Sequence, residues 1–293
     1  MRLALTGATG FVGKNLIPAA IRRGFEVVAF TRDPSHPVHD CVETRRFALD
    51  EKPDFSGCDA VVHLAGENIF GLWTARKKRR VLESRMQGTR RVAEAIAAMS
   101  TPPEVFVSAS AVGYYGHRGE AEITERDAAG SGFLAEVCGA WEQEALAAEN
   151  RCRVACVRVG QVLGHGGVLR SLRRIFRLGL GGQLGPGRQW MPWIHLDDLT
   201  ALLLFAVENL DLRGPINACA PWPVRNADFT RQLARALHRP AFFRVPGFAL
   251  RLLFRDLGQA MLESQRVLPA AALDQGFGFR FPEIVPALRD ALA

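Results

Sequence analysis

Three glycines, spaced three residues apart, constrain the fold of this chain more than any other feature. They lie in the run TGATGFVG, residues 6–13, which follows a short apolar segment, Arg2–Thr6, and leads into an amphipathic one, Phe11–Arg23. The first segment has the composition of a buried strand, and the second has the periodicity of a helix. A strand, a glycine-rich turn and a helix in this order are typical of the first unit of a parallel α/β sheet.

Each glycine of this turn has its own steric role. Gly7 permits a tight turn, Gly10 lets the backbone approach a pyrophosphate, and Gly13 allows close packing of helix on sheet. The helix start directs free N–H groups and the positive end of its dipole toward the phosphates. The spacing is GxxGxxG rather than GxGxxG, and a structural turn without nucleotide is the alternative interpretation. We predict a dinucleotide site whose cofactor-binding residues here are Gly7, Thr9, Gly10, Phe11 and Val12.

The end of the second predicted strand, Glu26–Phe30, distinguishes between two cofactors. Thr31 stands where an acidic residue would accept a hydrogen bond from the 2′-hydroxyl of NAD, and Arg32 follows it. An arginine suits the 2′-phosphate of NADP. Asp33 lies one residue further along, so NAD stays open as an alternative. We predict NADP as the cofactor, bound at this end by Thr31 and Arg32.

Short β-branched runs alternate with helical patterns in the first half of the chain. This alternation predicts an α/β fold with a doubly wound parallel Rossmann sheet. The predicted strands are Arg2–Thr6, Glu26–Phe30, Arg45–Ala48, Ala60–Leu64, Glu104–Ser108 and Arg153–Val159, and the longest predicted helices are Ala75–Met99 and Gly132–Glu149.

The pattern changes after residue 160, where two glycine-rich loops occur at 160–167 and 179–187. We predict a dinucleotide-binding domain over residues 1–164, to which residues 190–220 return. A smaller substrate-side α/β lobe is predicted over residues 165–293, with a helical part at 246–293.

The composition is that of a globular chain, with 48% hydrophobic and 23% charged residues. Six scattered cysteines predict small apolar core residues in a reducing compartment rather than a redox or metal site. No secretory signal precedes the first strand, and the longest apolar run, Ala201–Val207, is too short to span a bilayer. We therefore expect a cytoplasmic protein with no membrane segment and no metal.

Basic residues exceed acidic ones, and the net charge is +7. The densest cluster, Arg76–Arg80, continues to Arg85, Arg90 and Arg91 along the predicted helix. Because apolar residues interleave with them, these charges are expected on the solvated face of the helix. A nucleic-acid surface is the alternative, but no zinc-finger or RNA-recognition motif supports it, and we expect no nucleic-acid partner.

Further motifs carry a resemblance to a known family. The turn at 6–13, VHLAG at 62–66, SAS at 108–110 and WIHLDD at 193–198 resemble the extended short-chain dehydrogenases/reductases. More closely, the chain resembles their atypical branch of sugar-nucleotide epimerase-like proteins, through LAGENI at 64–69, SAVGYYG at 110–116, GGQLGPG at 181–187 and QRVLP at 265–269. The likeness covers essentially the whole chain, including a short C-terminal domain.

The resemblance implies bound NADP and a substrate cleft beneath the C-terminal lobe. It extends the cofactor site to Leu64, Ala65, Gly66 and Ser108, and it allows a sugar nucleotide as the small-molecule substrate. Extended relatives often dimerise through helices matching 75–99 and 132–149. The basic face of the first of these helices leaves both a monomer and a homodimer open.

The acid–base pair of the wider superfamily, a tyrosine four residues before a lysine, cannot form in this chain. Only Tyr114 and Tyr115 are tyrosines, no lysine follows Lys78, and Phe133 stands where the tyrosine is expected. General acid–base catalysis of that kind contributes about 10²–10⁴ in rate. The resemblance assigns Ser110 to the catalytic serine, and a contributing tyrosine must be Tyr114 or Tyr115.

Three residues are predicted on the substrate side, namely Glu67, Gln189 and Trp193, although capping or packing roles are open for each. Two functions follow from the whole pattern. One is an NADP-dependent oxidoreductase or epimerase-like enzyme in which Ser110 orients the substrate oxygen. In this enzyme the proton comes from water, from Tyr114 or from Tyr115. The other is an NADP(H)-binding redox sensor or scaffold with little or no catalysis.

Overall fold

A computed structural model describes all 293 residues, Met1–Ala293. The strands are Arg2–Thr6 (β1), Glu26–Thr31 (β2), Glu43–Arg46 (β3), Ala60–His63 (β4), Val105–Ala111 (β5), Glu122–Ile123 (β6), Arg153–Val159 (β7), Gln161–Leu163 (β8), Gly182–Leu184 (β9), Trp190–Met191 (β10), Trp193–His195 (β11), Gly214–Ala218 (β12), Val224–Arg225 (β13), Phe243–Val245 (β14) and Arg266–Val267 (β15). The helices are Phe11–Arg22 (α1), Ala75–Ala98 (α2), Phe133–Leu146 (α3), Gly167–Arg177 (α4), Leu196–Glu208 (α5), Asn226–Ala236 (α6), Gly247–Phe254 (α7), Asp256–Ala260 (α8), Ala270–Asp274 (α9) and Ile284–Leu292 (α10), and one 3-10 turn covers Val112–Tyr115.

Seven parallel strands form the central sheet, in the order β3-β2-β1-β4-β5-β7-β12. Fully buried Leu3 and Leu5 of β1 pack toward α1 and α5, whereas Ala4 faces α2 and α3. Helices therefore cover both faces, as the alternating sequence pattern predicts. The predicted doubly wound α/β fold is confirmed. The strand order reverses between β1 and β4, and the carboxyl ends of these strands border the crevice where such sheets bind ligands.

The segment after β7 builds a second set of short strand pairs, β8 with β11, β9 with β14 and β10 with β13. Side chains of β8, β10, β11 and β13 share an apolar cluster with α4, α6 and α10. The strand β12 leaves this region and joins the edge of the central sheet beside β7. The boundary placed at residues 164 and 165 stays a prediction.

Three predicted elements differ from the structure for local reasons. The third strand covers Glu43–Arg46 instead of Arg45–Ala48, because its four polar residues lie at a sheet edge and show no apolar signal. The loops predicted at residues 160–167 and 179–187 contain β8 and β9, which at three residues each are too short for a periodic pattern. All six cysteines are free thiols, and no helix combines the length and apolar character that crossing a membrane requires.

Candidate functional site

In the glycine turn after β1, neither Gly7 nor Gly13 has room for a side chain. Gly7 has a φ of +72°, and a Cβ at this residue would lie 2.8 Å from the carbonyl carbon of Leu64. A Cβ on Gly13 would lie 2.3 Å from the carbonyl oxygen of Gly7. Both neighbours are backbone atoms that cannot rotate away. The turn thus brings the start of α1 against the turn after β4 at the point where the strand order reverses.

The first turn of α1 offers its N–H groups without competition. Gly10 precedes the helix, no side chain caps it, and the first turn carries no acidic residue. Thr9 and Gly10 are exposed, while Phe11 and Val12 are half-buried. Unsatisfied N–H groups at the positive end of a helix dipole bind phosphate well. The free N–H groups at the start of α1 fit a phosphate, and the five residues predicted for the cofactor phosphates lie in or beside this turn; their contact with a cofactor stays a prediction.

The ring of Phe11 connects this turn to the second lobe. A Cβ on Gly166 or Gly167 would lie 2.7 and 3.0 Å from atoms of the ring, and a Cβ on Gly164 would lie 3.2 Å from it. The glycines of the loop after β8 are therefore required for packing against Phe11. The start of α1 thus packs, through Phe11, against the loop after β8.

At the end of β2, Arg32 and Asp33 differ in their availability. Asp33 accepts hydrogen bonds from the backbone N–H and hydroxyl of Ser35, at 3.1 and 2.5 Å, and pairs with His36 at 3.0 Å. The bond from the Ser35 hydroxyl is the main cause of a lowered pKa at Asp33. Arg32 is exposed and has no ion-pair or hydrogen-bond partner in the protein. The Thr31 hydroxyl donates to the Asp33 carbonyl at 2.9 Å.

A buried histidine supports the turn after β4. His63 Nδ1 lies 2.6 Å from the hydroxyl oxygen of Thr6, which also accepts from the N–H of Ala65 at 3.3 Å. His63 has no exposed surface, and burial is the largest cause that lowers its pKa to about 3. A neutral imidazole therefore joins the carboxyl ends of β1 and β4. His63 lies within the VHLAG motif at 62–66, but the motif does not indicate that its side chain bonds Thr6, 57 residues away.

The Leu64-Ala65-Gly66 turn leads to Glu67, whose carboxylate is occupied. Its Oε1 lies 2.8 Å from Lys77 Nζ and 3.4 Å from a nitrogen of Arg80. The hydrogen bond from Lys77 is the main cause of a lowered pKa at Glu67, and Arg32 also contributes from across the crevice. The Glu67 side chain thus ties the turn to the start of α2.

Ser110 belongs to a buried charged network between β5, α3 and β7. Its hydroxyl donates to Glu142 Oε1 at 2.6 Å, and Arg158 donates to both Glu142 oxygens at 2.8 and 2.7 Å. Ser110 is 3% exposed. Ser108 lies two residues earlier on β5 and is also buried, with its hydroxyl 3.2 Å from the Ala109 carbonyl. A carboxylate bound by arginine is a hydrogen-bond acceptor, so it fixes the direction of the Ser110 proton.

The two tyrosines contact the same arginine, Arg158. The Tyr115 hydroxyl donates to Asn217 Oδ1 at 2.7 Å and accepts from Arg158 at 2.8 Å, and the residue has no exposed surface. Burial is the largest cause that raises its pKa to about 12. Tyr114 is half-buried, and its ring centre lies 3.5 Å from the Arg158 guanidinium carbon. Its hydroxyl makes no hydrogen bond within the protein.

The network joins Ser110, Tyr114 and Tyr115 through Arg158. Where the superfamily's acid–base pair is expected, Phe133 packs against Trp73 with ring centres 5.3 Å apart. The hydroxyls of Ser110 and Tyr115 already have partners, and of the three predicted catalytic side chains Tyr114 alone has a free hydroxyl. Their catalytic roles stay predictions.

On the substrate side, Gln189 and Trp193 are both buried. Gln189 is 6% exposed and donates to the Leu184 carbonyl at 3.1 Å, while its Oε1 has no partner. Trp193 has no exposed surface and donates through its indole nitrogen to the Trp222 carbonyl at 3.2 Å. Packing accounts for Trp193 fully, so its predicted position on a substrate wall gains no support from the structure.

Glu142, Arg158 and Asn217 were outside the predicted site. Glu142 lies on the predicted helix and Arg158 on a predicted strand, and a charged residue inside an apolar strand was the available signal. Arg85, expected on the solvated face of α2, instead turns inward and hydrogen-bonds the Glu67 carbonyl at 3.0 Å.

A second polar cluster lies away from the crevice. His195, Asp197 and Asp290 bring ligand-type atoms within 4.8 Å of one another. His195 Nδ1 accepts from the Asp197 N–H at 3.2 Å and so caps α5. Its proton is therefore on Nε2, which lies 3.3 Å from Asp290. A protonated nitrogen cannot ligate a metal, so this geometry is that of a helix cap.

Comparison with known proteins identifies two matching regions. Residues 3–219 match the family model described as "NAD dependent epimerase/dehydratase family", and residues 245–291 match a domain of unknown function, DUF1731. The chain is 37% identical over 298 aligned positions to "Epimerase family protein SDR39U1 homolog, chloroplastic" of Arabidopsis thaliana, covering 99% of this chain and 86% of that protein.

Two solved structures are similar over the whole chain. The crystal structure of human epimerase family protein SDR39U1 (isoform 2) with NADPH is 34% identical, with a TM-score of 0.91 over 99% of each chain. The nucleoside-diphosphate sugar epimerase of Corynebacterium glutamicum is also 34% identical, with a TM-score of 0.82, and covers 100% of this chain and 58% of that one.

Proposed function

The chain belongs to the NAD-dependent epimerase/dehydratase family, within the extended short-chain dehydrogenases/reductases, and we propose that it is an NADPH-binding oxidoreductase for a small molecule. The observation that carries the choice of NADPH is the contrast between Arg32 and Asp33. Arg32 is exposed without a partner at the end of β2, whereas both Asp33 oxygens are already engaged. The similar human protein was solved with NADPH, which supports the same choice.

The cofactor preference is tested by Arg32→Ala. Charge-assisted hydrogen bonds to a phosphate contribute about 1.5–3 kcal/mol, so the ratio of NADPH to NADH affinity should fall by about tenfold or more. Arg22→Ala removes an exposed arginine near the opposite end of α1 and is the matched control. Calorimetry with both cofactors measures the ratio. An unchanged ratio in Arg32→Ala would refute the proposed role.

Reduced nicotinamide supplies a hydride when NADPH is bound, and the chain supplies binding and orientation. The glycine cradle of α1 holds the two linked phosphates, and Arg32 holds the 2′-phosphate. A proton must reach the substrate oxygen as the hydride reaches carbon. Since the Ser110 and Tyr115 protons are held by Glu142 and Asn217, we assign this proton to water or to the free hydroxyl of Tyr114.

The same observation favours a second function, that of an NADP(H)-dependent redox sensor or scaffold. A site whose serine and tyrosine protons are locked in a buried network can bind NADPH without turning over. The two functions differ in NADPH consumption during incubation with carbonyl compounds and sugar nucleotides. Turnover that is lost in Tyr114→Phe with NADPH affinity unchanged supports the enzyme. Tight NADPH binding without oxidation of any offered compound supports the sensor.

For the substrate class, we infer a sugar nucleotide. The inference comes from the similar Corynebacterium glutamicum protein, which is described as a nucleoside-diphosphate sugar epimerase. We also propose a cytoplasmic location, although one relative is described as chloroplastic. Protection of the NADPH complex against thermal unfolding by nucleoside-diphosphate sugars would test the substrate class.

A further inference from the structure

One arginine near the crevice has no acidic partner. Arg85 lies in the middle of α2, and its side chain turns from the solvated face toward the turn after β4. Its Nη1 donates to the carbonyls of Glu67 and Val81 at 3.0 and 3.3 Å. No carboxylate lies within ion-pair distance of its guanidinium. A half-buried cation without a counter-ion is uncommon, because removing charge from water is unfavourable.

The surroundings of Arg85 weaken its hydration further. Its guanidinium carbon lies 5.0 Å from the ring centre of Trp141 on α3. The guanidinium also lies beside Gly66, where a Cβ would be at an ordinary contact distance of 3.6 Å from the same carbon. Burial is the largest cause of a lowered pKa at Arg85. An arginine remains charged in proteins in spite of such a shift, and the site therefore keeps an uncompensated positive charge.

The nearest carboxylate cannot neutralise this charge. Glu67 gives Arg85 its backbone carbonyl, while its side chain pairs with Lys77 and Arg80. The turn thus carries three cations for one acid. Arg32, across the crevice, adds a fourth cation without adding an acid.

Packing explains only part of the Arg85 side chain. The two carbonyl contacts use one of the three guanidinium nitrogens, and the group has five N–H donors. Nε and Nη2 bond no protein atom, and neither is sealed from solvent. These donors have the fork geometry that matches a carboxylate or phosphate.

We propose that Arg85 binds an oxyanion of the substrate, a carboxylate or a phosphate, between the turn after β4 and α3. The proposal rests on the proposed NADPH function and extends it to the substrate. The oxyanion would lie apart from the predicted sites of the cofactor phosphates, although beside the turn at residues 64–66, which is itself predicted to contact the cofactor. The start of α1 follows β1 and Arg32 follows β2, whereas Arg85 lies on the β4 side of the strand-order reversal.

The test uses protein saturated with NADPH, so that the cofactor phosphates occupy the α1 cradle. Inorganic phosphate and oxalate are then titrated in by calorimetry. In Arg85→Gln, anion affinity should fall by about tenfold or more, because a charge-assisted pair is lost. Arg85→Lys keeps the charge and should retain part of the affinity. Arg79→Gln removes an exposed arginine of the same helix and should bind like wild type.

Each outcome decides the proposal. Equal losses in Arg85→Gln and Arg79→Gln would mean a general charge effect and overturn it, as would wild-type affinity in Arg85→Gln or no anion binding by the wild-type complex. A fall in NADPH affinity with unchanged anion affinity would assign Arg85 to the cofactor instead. Failure of wild-type protein to bind NADPH would reject the proposed function itself. Melting temperatures of the Gln and Lys variants identify any loss caused by misfolding.

Discussion

The crevice has two sides that are built in different ways. On the cofactor side, the turn at residues 6–13 is shaped by backbone, and its critical distances join glycine positions to neighbouring main-chain atoms. On the side of β5 and α3, the site is shaped by side chains. Ser110, Glu142 and Arg158 come from three elements and share one network of hydrogen bonds.

Because the two sides are built differently, we expect the backbone turn to matter mainly for ligand binding and the side-chain network mainly for stability. A backbone turn can present N–H groups to a ligand without enclosing charge, so its free donors serve binding. The Glu142–Arg158 pair is 9% and 4% exposed at its side chains, and such a pair needs both partners to offset desolvation. We therefore expect changes on the two sides to affect different measurements.

The largest effect on stability is expected for Glu142→Ala. The change leaves Arg158 buried without a counter-ion, and losing one partner of a buried pair lowers the free energy of unfolding by about 3–5 kcal/mol. NADPH affinity of the folded protein should be nearly unchanged. Denaturant unfolding and cofactor titration measure the two quantities.

Glu144→Ala is the matched control, since Glu144 lies on the same helix and pairs with the exposed Arg90 at 2.9 Å. The side chains of this pair are 51% and 17% exposed, and an ion pair that reaches the surface contributes about 0–1 kcal/mol. The comparison of the two sides fails if Glu144→Ala destabilises the protein as much as Glu142→Ala does.

Gly13→Ala should reverse this pattern. Its Cβ would lie 2.3 Å from the Gly7 carbonyl oxygen, so the turn must open. Strain of this kind lowers the free energy of unfolding by about 1–3 kcal/mol. NADPH affinity should fall by about tenfold or more, because the N–H groups no longer converge on the phosphates.

Gly139 on α3 gives the control for Gly13→Ala. A Cβ there meets no atom within 4 Å, and Gly139→Ala should keep wild-type NADPH affinity. Retention of wild-type NADPH affinity in Gly13→Ala would contradict the backbone account of the cofactor side.

His63, at the end of β4, sharpens the comparison through pH. Its pKa is about 3 in the fold, below the ordinary value of 6.5, so between these pH values the unfolded state binds more protons. Stability from the neutral imidazole is complete above pH 6.5. It is lost as pH falls, at up to about 1.4 kcal/mol per pH unit.

Measuring the free energy of unfolding between pH 6.5 and pH 5 tests this dependence of stability on pH. His63→Gln should lack the histidine contribution, whereas His165→Gln, at an exposed site, should retain it. A slope in His63→Gln equal to that of the wild type would show that His63 does not couple stability to pH.

The sequence predicted the parts of the molecule that depend on neighbouring residues. β1, the glycine turn and α1 are contiguous, so their pattern suffices, and β1 has the predicted bounds. The network at Ser110 depends on Glu142, which is 32 residues away, and on Asn217, which is 102 residues from Tyr115. Sequence spacing carries no information about such partners.

Arg85 illustrates a different limit of sequence patterns. Helical periodicity placed it with the other basic residues of α2, and a long side chain near the edge of a polar face can turn either way. The carbonyl of Glu67 and the ring of Trp141 are the groups that its guanidinium contacts after turning inward. Both come from elements that only the fold brings close.

The packing of the Phe11 ring against Gly164, Gly166 and Gly167 affects how glycines in related sequences should be interpreted. Gly164 and Gly166 make room for neighbouring side chains, among them the Phe11 ring, and Gly167 also has a φ of +54°. Retention of glycine at these positions among relatives would therefore record packing and backbone conformation. A survey that equates invariant glycine with nucleotide contact would assign this loop to the cofactor by error. If packing against the side chain at position 11 is the constraint, the two sites should vary together. Relatives with larger residues in the loop should then have a smaller residue at position 11.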